Sequence, residues 1–414
     1  MTDFEIAKLI LLKIVDEDLP FAVSTKAAYK KYDVSPASRS NITALLGCTL
    51  RHHYLLDNLI ERHIEGKSFV ETIYLRFLIV NKRFLKRYND KELYELASNE
   101  VDKSVIDEII DLVSTTNEII PTELDKTSPE YLAMRFNTPS WVIRMWQKQY
   151  GKGLAYKILK TNYHQSVPSV RINNQLTTAE KVLSKNPDFS ISPVEDVLIY
   201  QGRGTPKALE EFKNNSIFFM KMGTKYVIDR LDIEPLKGMV LYSDVPNNIY
   251  LDMVSRFGSG VKMDIITNHL QSYFEMKKIV EAAPYNGISL YNAKATSVIT
   301  CVSRPVGTVL CLPKSTTFDL LRSTPDYFLK IKQDKLDSII KDELEALEEC
   351  SKVTEVDGKL VYMIPTICKK ESSNLIADFL SEHPNFDLVE ERQFFPFESF
   401  DSCLYYAILE KKEA

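Results

Sequence analysis

The stretch Gly307-Thr308-Val309-Leu310-Cys311-Leu312 decides the reading of the fold. A short apolar run without polar alternation is the signature of a strand buried on both faces, as in a parallel sheet. Working outward, similar runs occur at Met239 to Tyr242, Val261 to Met263, Leu360 to Ile364 and Leu404 to Leu409. Helical patterns separate them, notably Leu270 to Ala282, Lys335 to Glu349 and Asn374 to Ser381. From about Tyr226 onward this alternation predicts an open, mostly parallel α/β sheet of Rossmann-like type, with helices on both faces.

The first third has a different period. Apolar residues recur three and four apart from Phe4 to Val15 and from Ile42 to Ile60, where Leu46, Leu50, Tyr54 and Leu59 share one face. Further helices are predicted over Phe69 to Lys86, Lys91 to Ala97 and Ser104 to Val113. The spacing thus gives an all-helical domain over residues 1–128, ending near the polar stretch Thr122 to Ser128. A smaller α+β domain follows over 129–225. Thr138 suits an N-cap and Pro139 the first helical position, and Trp141 and Trp146 lie on a core stripe. Gly151 or Gly153 ends that helix, a second helix runs from Leu154 to Thr161, and Ser169 to Asn173 reads as a strand. The α/β sheet fills 226–414.

Of the 414 residues, 44% are apolar and 26% charged, as in ordinary globular proteins. No run approaches the roughly 18 apolar residues of a membrane span, and no export signal is visible at Met1-Thr2-Asp3-Phe4-Glu5. A cytoplasmic, monomeric protein is expected. The six cysteines form no CxxC pair, so neither a zinc site nor a disulfide framework is indicated. A net charge of -5 argues against indiscriminate nucleic-acid binding. The charge is uneven, however. Between Pro129 and Lys225, Lys and Arg outnumber Asp and Glu about two to one, which suits a local RNA-binding face with Arg144, Lys157, Lys160 and Arg171 as candidate contacts. Lys82, Arg83, Lys86 and Arg87 form a second, smaller basic cluster.

The order of motifs resembles the bacterial small-subunit ribosomal RNA cytosine-5 methyltransferases of the Sun/Fmu (RsmB) type, which carry a NusB-like helical domain in front. Leu45-Leu46-Gly47-Cys48-Thr49-Leu50-Arg51 with Leu56-Asp57 resembles the LVxGTLR...LD signature of that domain. Thr138-Pro139-Ser140-Trp141 with Gln149-Tyr150-Gly151 resembles the HPxW...YG entry segment, and Arg171-Ile172-Asn173 the RVN strand. Thr324-Pro325-Asp326 after Leu321-Arg322 resembles RRxPD. Leu360-Val361-Tyr362, continuing to Ala377-Asp378-Phe379-Leu380, matches LVYxTCSxxxEEN...FL in spacing and ends. Asp401 through Tyr405-Tyr406-Ala407 to Lys411-Lys412 resembles the final DGFFxAxLxK strand.

The resemblance implies a chemistry that these residues do not carry. In the family a cysteine thiolate adds to the cytosine ring, which activates the neighbouring carbon to take a methyl group from S-adenosylmethionine. That cysteine, in TCS, falls at Pro365. The second cysteine, in DAPCSG, falls at Lys314, and the aspartate of the same motif falls at Cys311. The cofactor loop DxCAAPGGK corresponds to Leu241-Tyr242-Ser243-Asp244-Val245-Pro246-Asn247-Asn248-Ile249. Pro246 survives, but Asn247 and Asn248 replace glycines that let backbone approach a ligand. By the same resemblance Asp264 is the expected ribose ligand and Asn292 stands near an adenine contact. Cys368 and Cys311 are the candidates for a relocated nucleophile. Three readings follow: an RNA-binding, non-catalytic descendant; an active methyltransferase with a displaced thiol; and a NusB-like module that binds RNA together with a protein partner.

Overall fold

The computed structural model describes the chain except residues 117, 165, 203, 246, 247, 283–285 and 414. It divides into two compact units. One is Met1–His164 with Leu320–Gln333; the other is Gln165–Asp319 with Asp334–Ala414. Among the described residues no helix is long and apolar enough to cross a membrane.

The first unit is helical because its apolar residues repeat at helical spacing and its helices are capped. Thr2 and Glu5 form a reciprocal capping box that starts Asp3–Val15. The helix Ile73–Val80 is buried on every side, so the other helices pack around it. The expected helix from Ile42 to Ile60 is two, Pro36–Arg51 and His53–His63, because His52 leaves helical geometry at φ -121° and ψ 19°. Its imidazole takes the Cys48 carbonyl as partner at 2.8 Å.

Gly151, at φ +79°, breaks Ser140–Asn162 as anticipated. Thr138 is not the cap. Its hydroxyl donates to the Phe136 carbonyl, and the helix begins after Pro139. The Asp326 of the RRxPD-like segment returns to this unit, where its carboxylate accepts the Phe21 amide at 2.9 Å and so starts the helix Phe21–Lys31.

The second unit holds two sheets. A small antiparallel one contains β1 (Ser169–Ile172), β2 (Phe189–Ile191), β3 (Val197–Tyr200) and β4 (Ile217–Phe219) in the order β2-β3-β1-β4. The large sheet contains β5 (Met239–Ser243), β6 (Met263–Thr267), β7 (Ile288–Asn292), β8 (Val306–Leu312), β9 (Thr354–Ile364), β10 (Phe386–Phe394) and β11 (Leu404–Lys411). Its order is β7-β6-β5-β8-β9-β11-β10. Strands β5 to β9 pair in parallel, and β11 runs antiparallel to β9 and β10.

Alternate residues of each strand feed two cores. Met239 and Leu241 pack with Ile249, Met253 and Met276 on one face, and Val240 and Tyr242 pack with Ala346, Leu347 and Phe379 on the other. Strand order reverses between β5 and β8, and ligands of open α/β sheets sit at the carboxyl ends of the strands beside such a switch point.

Candidate functional site

The carboxyl ends of β5, β6, β7, β8 and β9 bring Asp244, Asn268, Asn292, Lys314 and Pro365 to one edge of the sheet. Asp244 follows β5 directly. Its carboxylate accepts the Tyr242 hydroxyl, the Lys314 amide and the Asn268 side chain. Burial raises the pKa of this carboxyl, and those three donors pull against the rise. Asn292 ends β7 at the edge, where its amide donates to the Thr267 carbonyl at 2.9 Å.

Asp264 is not at this edge, which corrects the expected ribose contact. The strand begins at Met263, so Asp264 is the second residue of β6, 4% exposed, opposite Val240 and Ser289. Three residues separate it from the strand's end, about 10 Å at the usual rise. Its carboxyl is pushed up by burial and is held by the Ser289 side chain. The position it was expected to fill belongs to Thr267 and Asn268.

Of the cofactor-loop residues, Pro246 and Asn247 lie outside the described residues. Asn248 turns its amide away from the edge, to the Phe219 carbonyl of β4 at 2.9 Å. A ribose diol calls for a carboxylate at the strand ends. The acid standing there, Asp244, already receives three donors from the protein. Three of that carboxylate's acceptor positions are therefore already taken by the protein.

The sulfur atoms fare no better. Cys311 lies within β8 and is fully buried against Cys350, and burial holds its thiol well above the ordinary range. Cys368 is also fully buried, and its amide is tied to the Thr366 hydroxyl at 3.2 Å. A nucleophilic cysteine needs thiolate character and a path to its target. Cys311 lacks both, and Cys368 lacks the path. Lys314 is exposed, and Pro365 is half-buried with its carbonyl accepting the Asp319 amide.

Beneath the edge lies a polar cluster that includes neither cysteine position. Glu371, at the second Glu of the EEN spacing, is fully buried. Its carboxylate accepts the Thr316 amide at 2.7 Å, the Thr316 hydroxyl at 2.7 Å and the Thr366 hydroxyl at 2.6 Å. Its main-chain carbonyl accepts the Tyr362 hydroxyl at 2.9 Å. Glu343 faces it from the helix Leu336–Lys352, also fully buried, and among the described residues no donor reaches its oxygens. A carboxyl so placed keeps its own proton: burial and the charge of Glu371 push Glu343 up to about 11. The pair joins the loop after β8 to the loop after β9.

The loop after β8 also holds Thr317 at φ +57°, a left-handed conformation that a β-branched residue adopts at a cost. Thr317→Gly is expected to raise stability by about 1 kcal/mol, the scale of that strain. Thermal denaturation would show a melting temperature about 2 °C higher; an unchanged or lower value contradicts the strain.

The RNA candidates separate. Arg144 is exposed and paired with Glu130 before the Gly151 break, and Lys157 and Lys160 are exposed on the helical segment after it. Arg171 is a correction. It lies in β1 of the second unit with its side chain 4% exposed, 2.8 Å from the Asp252 carboxylate and 3.5 Å from that of Asp196. It cannot meet RNA from there.

No family model matches the sequence. Over 403 residues the chain is 20% identical to the Bacillus subtilis (strain 168) protein described as "Probable ribosomal RNA small subunit methyltransferase B", covering 92% of this chain and 89% of that one. The crystal structure of PH0851 superposes with a TM-score of 0.78 at 18% identity, over 99% of each chain. A methyltransferase homologue from Pyrococcus horikoshii superposes with a TM-score of 0.58 at 12% identity, over 70% of this chain and all of that one. The fold is therefore that of a Rossmann-like methyltransferase with a helical N-terminal region. Within that class the chain is similar over most of its length to the Bacillus subtilis protein, and in fold to these solved structures.

Proposed function

We propose that this protein binds ribosomal RNA without methylating it. One observation carries the proposal: Pro365 and Lys314 stand where the family's two cysteines belong, and the thiols nearest to them in sequence, Cys311 and Cys368, are fully buried. Proline offers no nucleophile, and an ammonium in place of a thiol cannot add to a pyrimidine ring. A thiol displaced by even one ångström forfeits near-attack geometry, and these are enclosed as well. The three donors on Asp244 support the same reading, because they occupy the acid nearest to where a cofactor ribose would lie. What remains is a family scaffold with exposed cations, suited to recognising RNA by backbone and shape.

The test combines two measurements on the full chain. With methyl-labelled S-adenosylmethionine and small-subunit ribosomal RNA, no label is expected in the RNA, while filter binding retains the same RNA. Calorimetry with the cofactor is expected to give no binding heat. Incorporation of label that Cys368→Ser abolishes would overturn the proposal in favour of a displaced nucleophile. Failure to retain RNA would overturn its other half.

A further inference from the structure

The helical unit contains a cavity of about 430 Å³ lined by Asn81, Lys82, Arg83, Lys86, Tyr88 and Asp90, with Val113 and Ser114 closing one side. Three cations and one carboxylate face it. In a chain of net charge -5 this is a local reversal of sign. Asp90 is shared, with Lys82 at 3.2 Å and the Asn81 amide both on it, so it offsets only part of the positive charge. Lys86 is exposed at the rim.

The frame that presents these cations is rigid. The buried helix Ile73–Val80 passes into a wider turn over Asn81–Leu85, and Lys86 then takes a left-handed conformation at φ +51°. Asn81, 1% exposed, holds the return. Its carbonyl oxygen accepts the amides of Arg87 and Tyr88, each at 3.0 Å, and its amide donates to the Tyr88 carbonyl at 2.9 Å. Phe84 stacks on His52 with centroids 3.8 Å apart, and Arg83 donates to the Val113 carbonyl at 3.2 Å. A turn fixed in this way gathers like charges that repel one another in the absence of an anion. The space suits a phosphodiester group.

We infer that this cavity is a phosphate-binding site for the RNA backbone, and that the helical unit supplies an anchor independent of the sheet edge. The inference rests on the proposed RNA binding. It assigns the contact to Lys82 and Lys86 instead of the middle of the chain.

The experiment titrates small-subunit ribosomal RNA onto the full chain at several salt concentrations. Each phosphate contact contributes about 0.7 to 0.9 to the slope of log affinity against log salt. Lys82→Ala with Lys86→Ala is expected to flatten that slope by about 1.5 and to weaken binding roughly tenfold. Lys82→Arg with Lys86→Arg should keep both values, which separates charge from folding. An unchanged slope in the alanine variant overturns the site while leaving RNA binding intact. Absence of binding by the unmutated chain overturns the proposed function and this site with it. Loss of inorganic pyrophosphate binding without loss of RNA affinity assigns the cavity to a free anion and overturns it as an RNA anchor.

Discussion

Replacing Arg171 with alanine is expected to destabilise the protein by about 3 kcal/mol, the cost of leaving a buried charge without its partner. The guanidinium spans β1 and the helix Ile249–Phe257, reaching Asp252 at 2.8 Å and Asp196 at 3.5 Å. Asp252 is fully buried, and without Arg171 its remaining ion pair among the described residues is with Arg256, 3.3 Å away and itself partly exposed. That residual pairing places the cost at the lower end of the range for a broken buried pair. If Arg171 were an RNA contact, its loss would weaken RNA binding and leave the melting curve alone. The buried pair predicts the reverse: a lower urea midpoint with the affinity of the remaining folded protein unchanged. An Arg171→Ala variant that melts like the parent sinks the structural role.

Arg171 also shows where reading the sequence stops. Its surroundings, Ser169-Val170-Arg171-Ile172, gave the strand correctly, but charge alone carries no information on burial. The large sheet was legible because β5, β8, β9 and β11 are largely buried, which leaves unbroken apolar runs in the sequence. The edge strand β10 was not, because most of its residues are exposed or half-exposed and its apolar residues show no period.

Apart from β1, the small sheet is not legible for another reason. Its other strands are three or four residues long, too short to show alternation. Asp264 lies inside the strand because the apolar run Val261 to Met263 only leads into it: pairing starts at Met263 and continues to Thr267. A slip of three residues moves a side chain from the edge to the interior. The substitutions at Pro365 and Lys314 needed no structure to be seen. The burial of the rescuing thiols did, since nothing local distinguishes a buried cysteine from an exposed one. Glu371 does carry a signal in the sequence, its place in the EEN spacing.

Glu343→Gln is expected to make the protein less sensitive to alkali. Glu343 ionises near 4.3 in an unfolded chain, but its burial beside Glu371 pushes it up to about 11 in the folded one. A carboxyl raised in the folded state stabilises fully below the unfolded value. It loses that contribution as pH climbs towards the folded value, by at most about 1.4 kcal/mol per unit. Glutamine has no proton to lose, and its amide can still donate to the Glu371 carboxylate, which keeps its three donors from Thr316 and Thr366. The melting temperatures of the two proteins should therefore diverge between pH 5 and pH 9, with the variant ahead by several degrees at the upper end, at roughly 2 to 4 °C per kcal/mol. Every other titrating group is common to both chains, so the difference isolates this one proton. Parallel curves would mean that Glu343 is already ionised when folded. The Glu343–Glu371 pair would then hold two charges inside the core, with no donor on Glu343 among the described residues to offset the second.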